Sequence, residues 1–224
     1  MGSRGENTVD DTVWIVKSHS PWLMPEAPLF KANKVLVIVR SPLDTNLSWF
    51  NLIAMASHDT KVPFEIEKDY PNFFDWWIKD CNKHINDWMQ QMMKDAKFYD
   101  VPMLFIRFED LVNNPEPELY NLMRFILGKK DLTGTNAERR IKEIIAMDKR
   151  VTETYKLKDS TRRKNPNAYR YTQEQLDWIG QCNKDWLHFF GYAKLPSDPE
   201  NETGFFEFDD ADEEMNRQYY GYRR

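Results

Sequence analysis

The chain has 224 residues, 41% of them hydrophobic and 14% aromatic, and a formal net charge of -5. That composition describes one globular domain with a sizeable core and excludes an intrinsically disordered chain. No apolar run approaches the roughly 20 residues of a membrane span, no signal-peptide hydrophobic region or myristoylation pattern opens the chain, and the acidic balance argues against a nucleic-acid partner.

Residues 1–12 are polar and are expected to be disordered. Residues 13–16 (VWIV), 35–39 (VLVIV) and 103–108 (MLFIRF) are apolar runs without alternation. Such runs predict strands covered on both faces, hence α/β architecture with a short parallel sheet flanked by helices. Ser41-Pro42 predicts an N-cap and a first-position proline, with Asp44 in the first turn, for a helix reaching about Ser57. Phe74, Trp77, Cys81, Ile85, Trp88 and Met92 recur at helical spacing and predict a long amphipathic helix over 73–98.

Asn114-Pro115 opens a further helix, closed by Gly128. Residues 137–149 read as a short helix with Ile141, Ile144 and Ile145 inward. Thr172 with Gln175 forms a capping-box pattern ahead of one last long helix, which carries Leu176, Ile179, Trp186, Leu187 and Phe190 and stops at Gly191. The tail, 196–224, is acidic and then aromatic, with six acids in residues 207–214, and reads as a mobile or docking extension outside the core.

Cys81 and Cys182 both fall in apolar helical patterns and read as buried thiols, and no His or Cys spacing suggests a metal site. Of two glycosylation sequons, that at Asn46 sits where a buried site is expected and reads as chance, while that at Asn201 lies in a polar loop.

Three groups of chemistry-bearing residues follow the three predicted strands, where open α/β sheets bind ligands. Lys17 and His19 stand just after VWIV; a histidine there can act as a general base and a lysine can neutralise a phosphate or sulfuryl oxygen. Arg40 ends VLVIV at the head of a helix, with Ser48 about two turns on, and a helix head with an arginine is an anion site. Phe108, Glu109 and Asp110 follow the third run; the acids read as turn caps and the ring could pack on a base. Arg162, Arg163, Lys164 and Arg170 form a basic stretch on an acidic protein, which a solvated face or an anionic ligand would each explain.

These segments together resemble the PAPS-dependent sulfotransferases. KSHSP (17–21) resembles the family's K-T-H-x-P segment, VLVIVRSPLDTNLSWF its 3′-phosphate segment with Arg and Ser eight positions apart, and FIRFEDLVNNPEPELYNLMRFILG its F-Y-E-D-L block. The resemblance runs over about residues 13–192 and implies a P-loop-NTPase-like sulfotransferase fold over 13–195. It implies His19 as the base, Lys17 at the sulfuryl-phosphate region, and Arg40 and Ser48 on the 3′-phosphate of PAPS. Arg162, Arg163 and Lys164 would correspond to a late basic loop reaching the same phosphate, and Phe108 takes the place of a common Tyr.

The donor would be PAPS (3′-phosphoadenylyl sulfate), the product PAP, the acceptor a hydroxyl on a carbohydrate or small molecule, and no metal would be needed. The Trp-rich segment YPNFFDWWIKDCNKHINDW and the chain's later part look more like the membrane-anchored Golgi branch, WSC-domain sulfotransferases included, than the soluble branch.

The family's first strand and its K-x-G-T-T-W phosphate loop, which grips the 5′-phosphosulfate, have no match in the sequence. The expectation is therefore a partial sulfotransferase domain. The alternative is a catalytically inactive protein of the same fold acting as an interaction subunit, with a protein partner at its tail. A kinase-like P-loop protein is disfavoured by the lack of G-x-x-x-x-G-K-S/T. Location follows the same fork: cytoplasmic if Met1 is the true start, the Golgi lumen if the chain is part of a membrane-anchored protein.

Overall fold

A computed structural model describes residues 14–16, 32–56, 60, 62–98, 101–146 and 167–192. Its sheet has two parallel strands, β1 (Val35–Val39) and β2 (Met103–Arg107). They pair in register from Val35 opposite Met103 to Val39 opposite Arg107. Both were legible as apolar runs, because β-branched residues fit a pleated, covered surface. The crossover between them holds α1 (Pro42–Met55), α2 (Ile66–Asp69) and α3 (Pro71–Phe98). After β2 come α4 (Phe108–Asn113), α5 (Pro115–Leu127), α6 (Asn136–Ala146), a single 3₁₀ turn at Ala168–Arg170, α7 (Gln173–Cys182) and α8 (Lys184–Phe189). No helix among the described residues is long and apolar enough to cross a membrane.

Two clusters make the core. In one, Leu43, Leu47 and Phe50 of α1 pack on Phe74, Trp77, Ile78 and Cys81 of α3, with Tyr171, Leu176 and Ile179 closing the far side. In the other, Val37, Val39 and Phe105 of the sheet meet Met89 of α3 and the aromatic end of the described chain, Trp186, Phe189, Phe190 and Tyr192. At 28 residues α3 is about 42 Å long, so one helix serves both clusters, its first half against α1 and its second beside the sheet. A buried polar network ties it to the last helices. The Asn183 amide donates to Asn82 Oδ1 (2.8 Å) and to the Ile179 carbonyl (2.9 Å), while Trp186 Nε1 donates to Asn183 Oδ1 (2.9 Å).

Several expectations are corrected. Residues 14–16 are not a strand: Trp14 and Ile15 stand exposed, and no ladder among the described residues pairs with them. Four apolar residues make a strand only where a neighbouring edge takes their hydrogen bonds. The sheet is not covered on both faces throughout, because Ile38 in the middle of β1 is 50% exposed. Phe108 begins α4 and does not end the strand.

In α6 only Ile141 is buried, and Ile144 and Ile145 are exposed. The last long helix is two helices. Asn183 both ends α7 and starts α8, since its side chain takes over the Ile179 carbonyl and holds Trp186. Cys81 is buried as expected, but Cys182 is only half-buried.

The capping box is present in full: Thr172 Oγ1 accepts from Gln175 N–H, and Gln175 Oε1 accepts from Thr172 N–H. Thr172→Ala is expected to cost about 1 kcal/mol of stability, and Thr172→Ser to cost little, as read by urea denaturation.

Candidate functional site

The parallel register decides where the site lies. Val39 sits opposite Arg107, so the next residues, Arg40 and Phe108, leave the sheet side by side at its carboxyl edge. The Arg40 guanidinium carbon lies 4.6 Å from the centroid of the Phe108 ring, within cation–π range. Arg40 Nη2 is 3.9 Å from Asp44 Oδ2, one turn along α1. Arg40 Nε and Ser41 Oγ are both buried without a hydrogen-bond partner. Ser41 therefore precedes α1 without capping it through its hydroxyl, contrary to the sequence expectation. Buried polar atoms left unpaired cost about 1–3 kcal/mol each, and two of them stand here at adjacent residues beside a helix head, while Asn46 of α1 holds two more.

Two acids bracket this arginine. Asp44 is buried, and burial raises its pKa despite attraction to Arg40 and a hydrogen bond from Asn167 Nδ2 (2.6 Å). Glu109 is partly buried, and that burial pushes its pKa up although Tyr192 and Ser41 both donate to it. Ser41 N–H donates to Glu109 Oε1 (2.8 Å) and the Tyr192 hydroxyl to Oε2 (2.6 Å). Glu109 is thus no local turn cap; it reaches a turn 68 positions earlier in sequence. Asp110, also expected as a turn cap, instead takes a two-pronged ion pair from Arg107 at 2.7 and 2.5 Å, and no side-chain hydrogen bond caps the start of α4.

Residues 167–171 form a strap across the head of α1. Asn167 donates to Asp44, Arg170 makes a two-pronged ion pair with Glu67 of α2 (2.6 and 2.5 Å), and the Tyr171 hydroxyl donates to the Leu43 carbonyl (2.7 Å).

Of the residues singled out in sequence, the structure brings Arg40 and Phe108 into contact. Ser48 lies on the Asp44 side of α1, exposed, about 9 Å of helix rise beyond Pro42. Lys17, His19, Arg162, Arg163 and Lys164 lie outside the described residues. Asn46 is fully buried and its carbonyl accepts from Trp77 Nε1 (3.1 Å), as the reading of its sequon as chance requires. Sequence reasoning missed the roles of Glu109, Asn167 and Tyr192. The only available signal was the Glu-Asp pair after a strand, which a helix start explains equally well.

Residues 7–171 match the family model described as Sulfotransferase domain. The chain belongs to the sulfotransferase family. No curated protein and no solved structure gives a match. The matched stretch takes in the sheet, α1 to α6 and the strap to Tyr171, and ends before α7 and α8. Sulfotransferases move a sulfuryl group, generally from PAPS, onto an acceptor, generally a hydroxyl. In this sulfotransferase domain, Arg40 and Phe108 stand at the carboxyl edge of the sheet, the edge at which open α/β sheets generally bind ligands.

Proposed function

We propose that the chain is a PAPS-dependent sulfotransferase that transfers its sulfuryl group to a hydroxyl, on a carbohydrate among others. The observation that carries this reading is Arg40. Its charge is aimed by the Phe108 ring, its Nε is buried and unbonded, and it stands at a helix head beside an equally unbonded Ser41 hydroxyl. That donor set fits a phosphate monoester such as the 3′-phosphate, whose position distinguishes PAPS from AMP, ADP and ATP.

Ser48 extends the donor set along α1. The chain's covalent length supports the basic stretch as a third contributor. Three peptide units separate Lys164 from Asn167, at most about 11 Å of chain, and Asn167 is bonded to Asp44 beside Arg40.

His19 takes the proton of the acceptor hydroxyl as its oxygen attacks sulfur in line. The bond from sulfur to the bridging oxygen breaks, and PAP leaves with both phosphates neutralised by Lys17, Arg40 and the basic stretch. Positioning and charge stabilisation supply most of the rate. A carbohydrate acceptor is supported by the exposed rings of Phe64, Tyr70, Phe73 and Trp76, which stand as two contacting pairs, Phe64 with Tyr70 and Phe73 with Trp76, joined through the buried Phe50 of α1. The strap's ion pair from Arg170 to Glu67 joins that segment to the Arg40 side.

The test is PAP release by the full chain given PAPS and a panel of sugar acceptors. His19→Ala is expected to lower the rate by about 10²- to 10⁴-fold. A chain that neither releases PAP nor binds it is the inactive interaction subunit instead.

A further inference from the structure

We propose that Phe108 and Glu109 work as one clamp that sets the position of Arg40 and Ser41, which makes Glu109 a positioning residue for the anion site. The inference rests on the reading of that site as the 3′-phosphate pocket.

The two consecutive residues that follow β2 each hold one of the two consecutive residues that follow β1. The Phe108 ring lies under the Arg40 guanidinium at 4.6 Å, and Glu109 Oε1 accepts the Ser41 N–H at 2.8 Å. The other carboxylate oxygen is held by the Tyr192 hydroxyl at 2.6 Å, and Tyr192 is itself buried. Tyr192 also lies under Arg107, the guanidinium carbon 5.5 Å from its ring centroid, so the clamp rests on the ion pair closing β2.

A carboxylate here carries costs, since burial raises its pKa and the nearby Asp44 adds repulsion, and its two hydrogen bonds, from the Ser41 N–H and the Tyr192 hydroxyl, are what an apolar residue would leave unmade. A negative group beside an anion site also works against affinity. What Glu109 does supply is direction. It turns the Ser41 N–H toward β2 and fixes the turn from which the Arg40 side chain departs. With Ser41 N–H committed, the arginine side chain and the Ser41 hydroxyl are left as donors to the ligand.

The experiment titrates full-chain wild type, Glu109→Ala and Glu109→Gln with PAP and with 5′-AMP, which lacks the 3′-phosphate, and follows the Arg40 Nε–H resonance in ligand-free protein. Glu109→Ala is expected to weaken PAP about tenfold or more and to leave 5′-AMP unchanged, with the Arg40 resonance displaced. Glu109→Gln, whose amide oxygen can still accept from Ser41, is expected to restore most of the PAP affinity.

Equal losses for both nucleotides, or an undisplaced Arg40 resonance in Glu109→Ala, overturns the clamp. Should Glu109→Ala not fold, Phe108→Leu, which keeps apolar volume and removes the ring, must show the same selective loss, and an unselective loss overturns the proposal. If wild type binds no PAP, the sulfotransferase reading fails, and the Arg40 resonance alone then decides the clamp.

Discussion

Arg40→Ala is expected to weaken PAP binding by at least about 100-fold while leaving the fold intact. Charge-assisted hydrogen bonds are worth about 1.5–3 kcal/mol each, and a guanidinium that meets a phosphate through two of them accounts for roughly 3 kcal/mol or more, which is 100-fold in affinity. The cost to the fold is small because Arg40 has little invested in it. Its Nε has no partner, its ion pair to Asp44 is long at 3.9 Å, and its stacking on Phe108 is worth about 1 kcal/mol.

Arg40→Lys keeps the charge but neither the fork nor the planar stack, and is expected to lose about tenfold. Calorimetric titration reads both variants, with thermal unfolding as the control. A Tm lowered by more than a few degrees in Arg40→Ala would mark the arginine as part of the framework instead.

Arg107→Ala is expected to have the largest effect on stability, about 3–5 kcal/mol. Arg107 is buried at the end of β2. It pairs with Asp110 through two hydrogen bonds, donates to the Phe190 carbonyl at 3.4 Å and covers the Tyr192 ring. Its removal leaves Asp110 without its guanidinium and loosens the joint between the sheet and the aromatic end of the described chain. For a chain of this size, 3 kcal/mol corresponds to a fall in Tm of about 6–12 °C. The double variant Arg107→Ala, Asp110→Ala is expected to lose less than the sum of the single losses, because the stranded charge goes too. Urea denaturation checks this, and a single-variant loss under 1 kcal/mol would contradict the account.

These two arginines show what a sequence can carry. Arg40 was legible because it follows a run of β-branched residues and precedes Ser-Pro, a local pattern with a local cause. β1, β2 and the capping box at Thr172 were legible for the same reason.

What escaped depends on partners far away in sequence. Glu109 at the first turn of α4 looks the same whether it caps that turn or crosses to Ser41, and only the parallel register decides. Asn183 sits inside an unbroken helical pattern of apolar residues, yet its amide is drawn to Asn82, 101 positions away, and the helix divides there. The run at 13–16 is as apolar as β1 but its strand character depends on an edge to pair with. Ile38 shows the reverse: a residue read as covered on the strength of its neighbours stands half exposed. The strap at residues 167–171 had no readable signal, since Asn167, Arg170 and Tyr171 act through α1 and α2.

The most direct test of the central claim is calorimetric titration of the full chain with PAP and with 5′-AMP under the same conditions. If Arg40 and the head of α1 form the 3′-phosphate pocket, PAP binds at least about 50-fold more tightly than 5′-AMP, and Arg40→Ala removes that preference. Equal affinity for the two nucleotides, or a preference that survives Arg40→Ala, would contradict it.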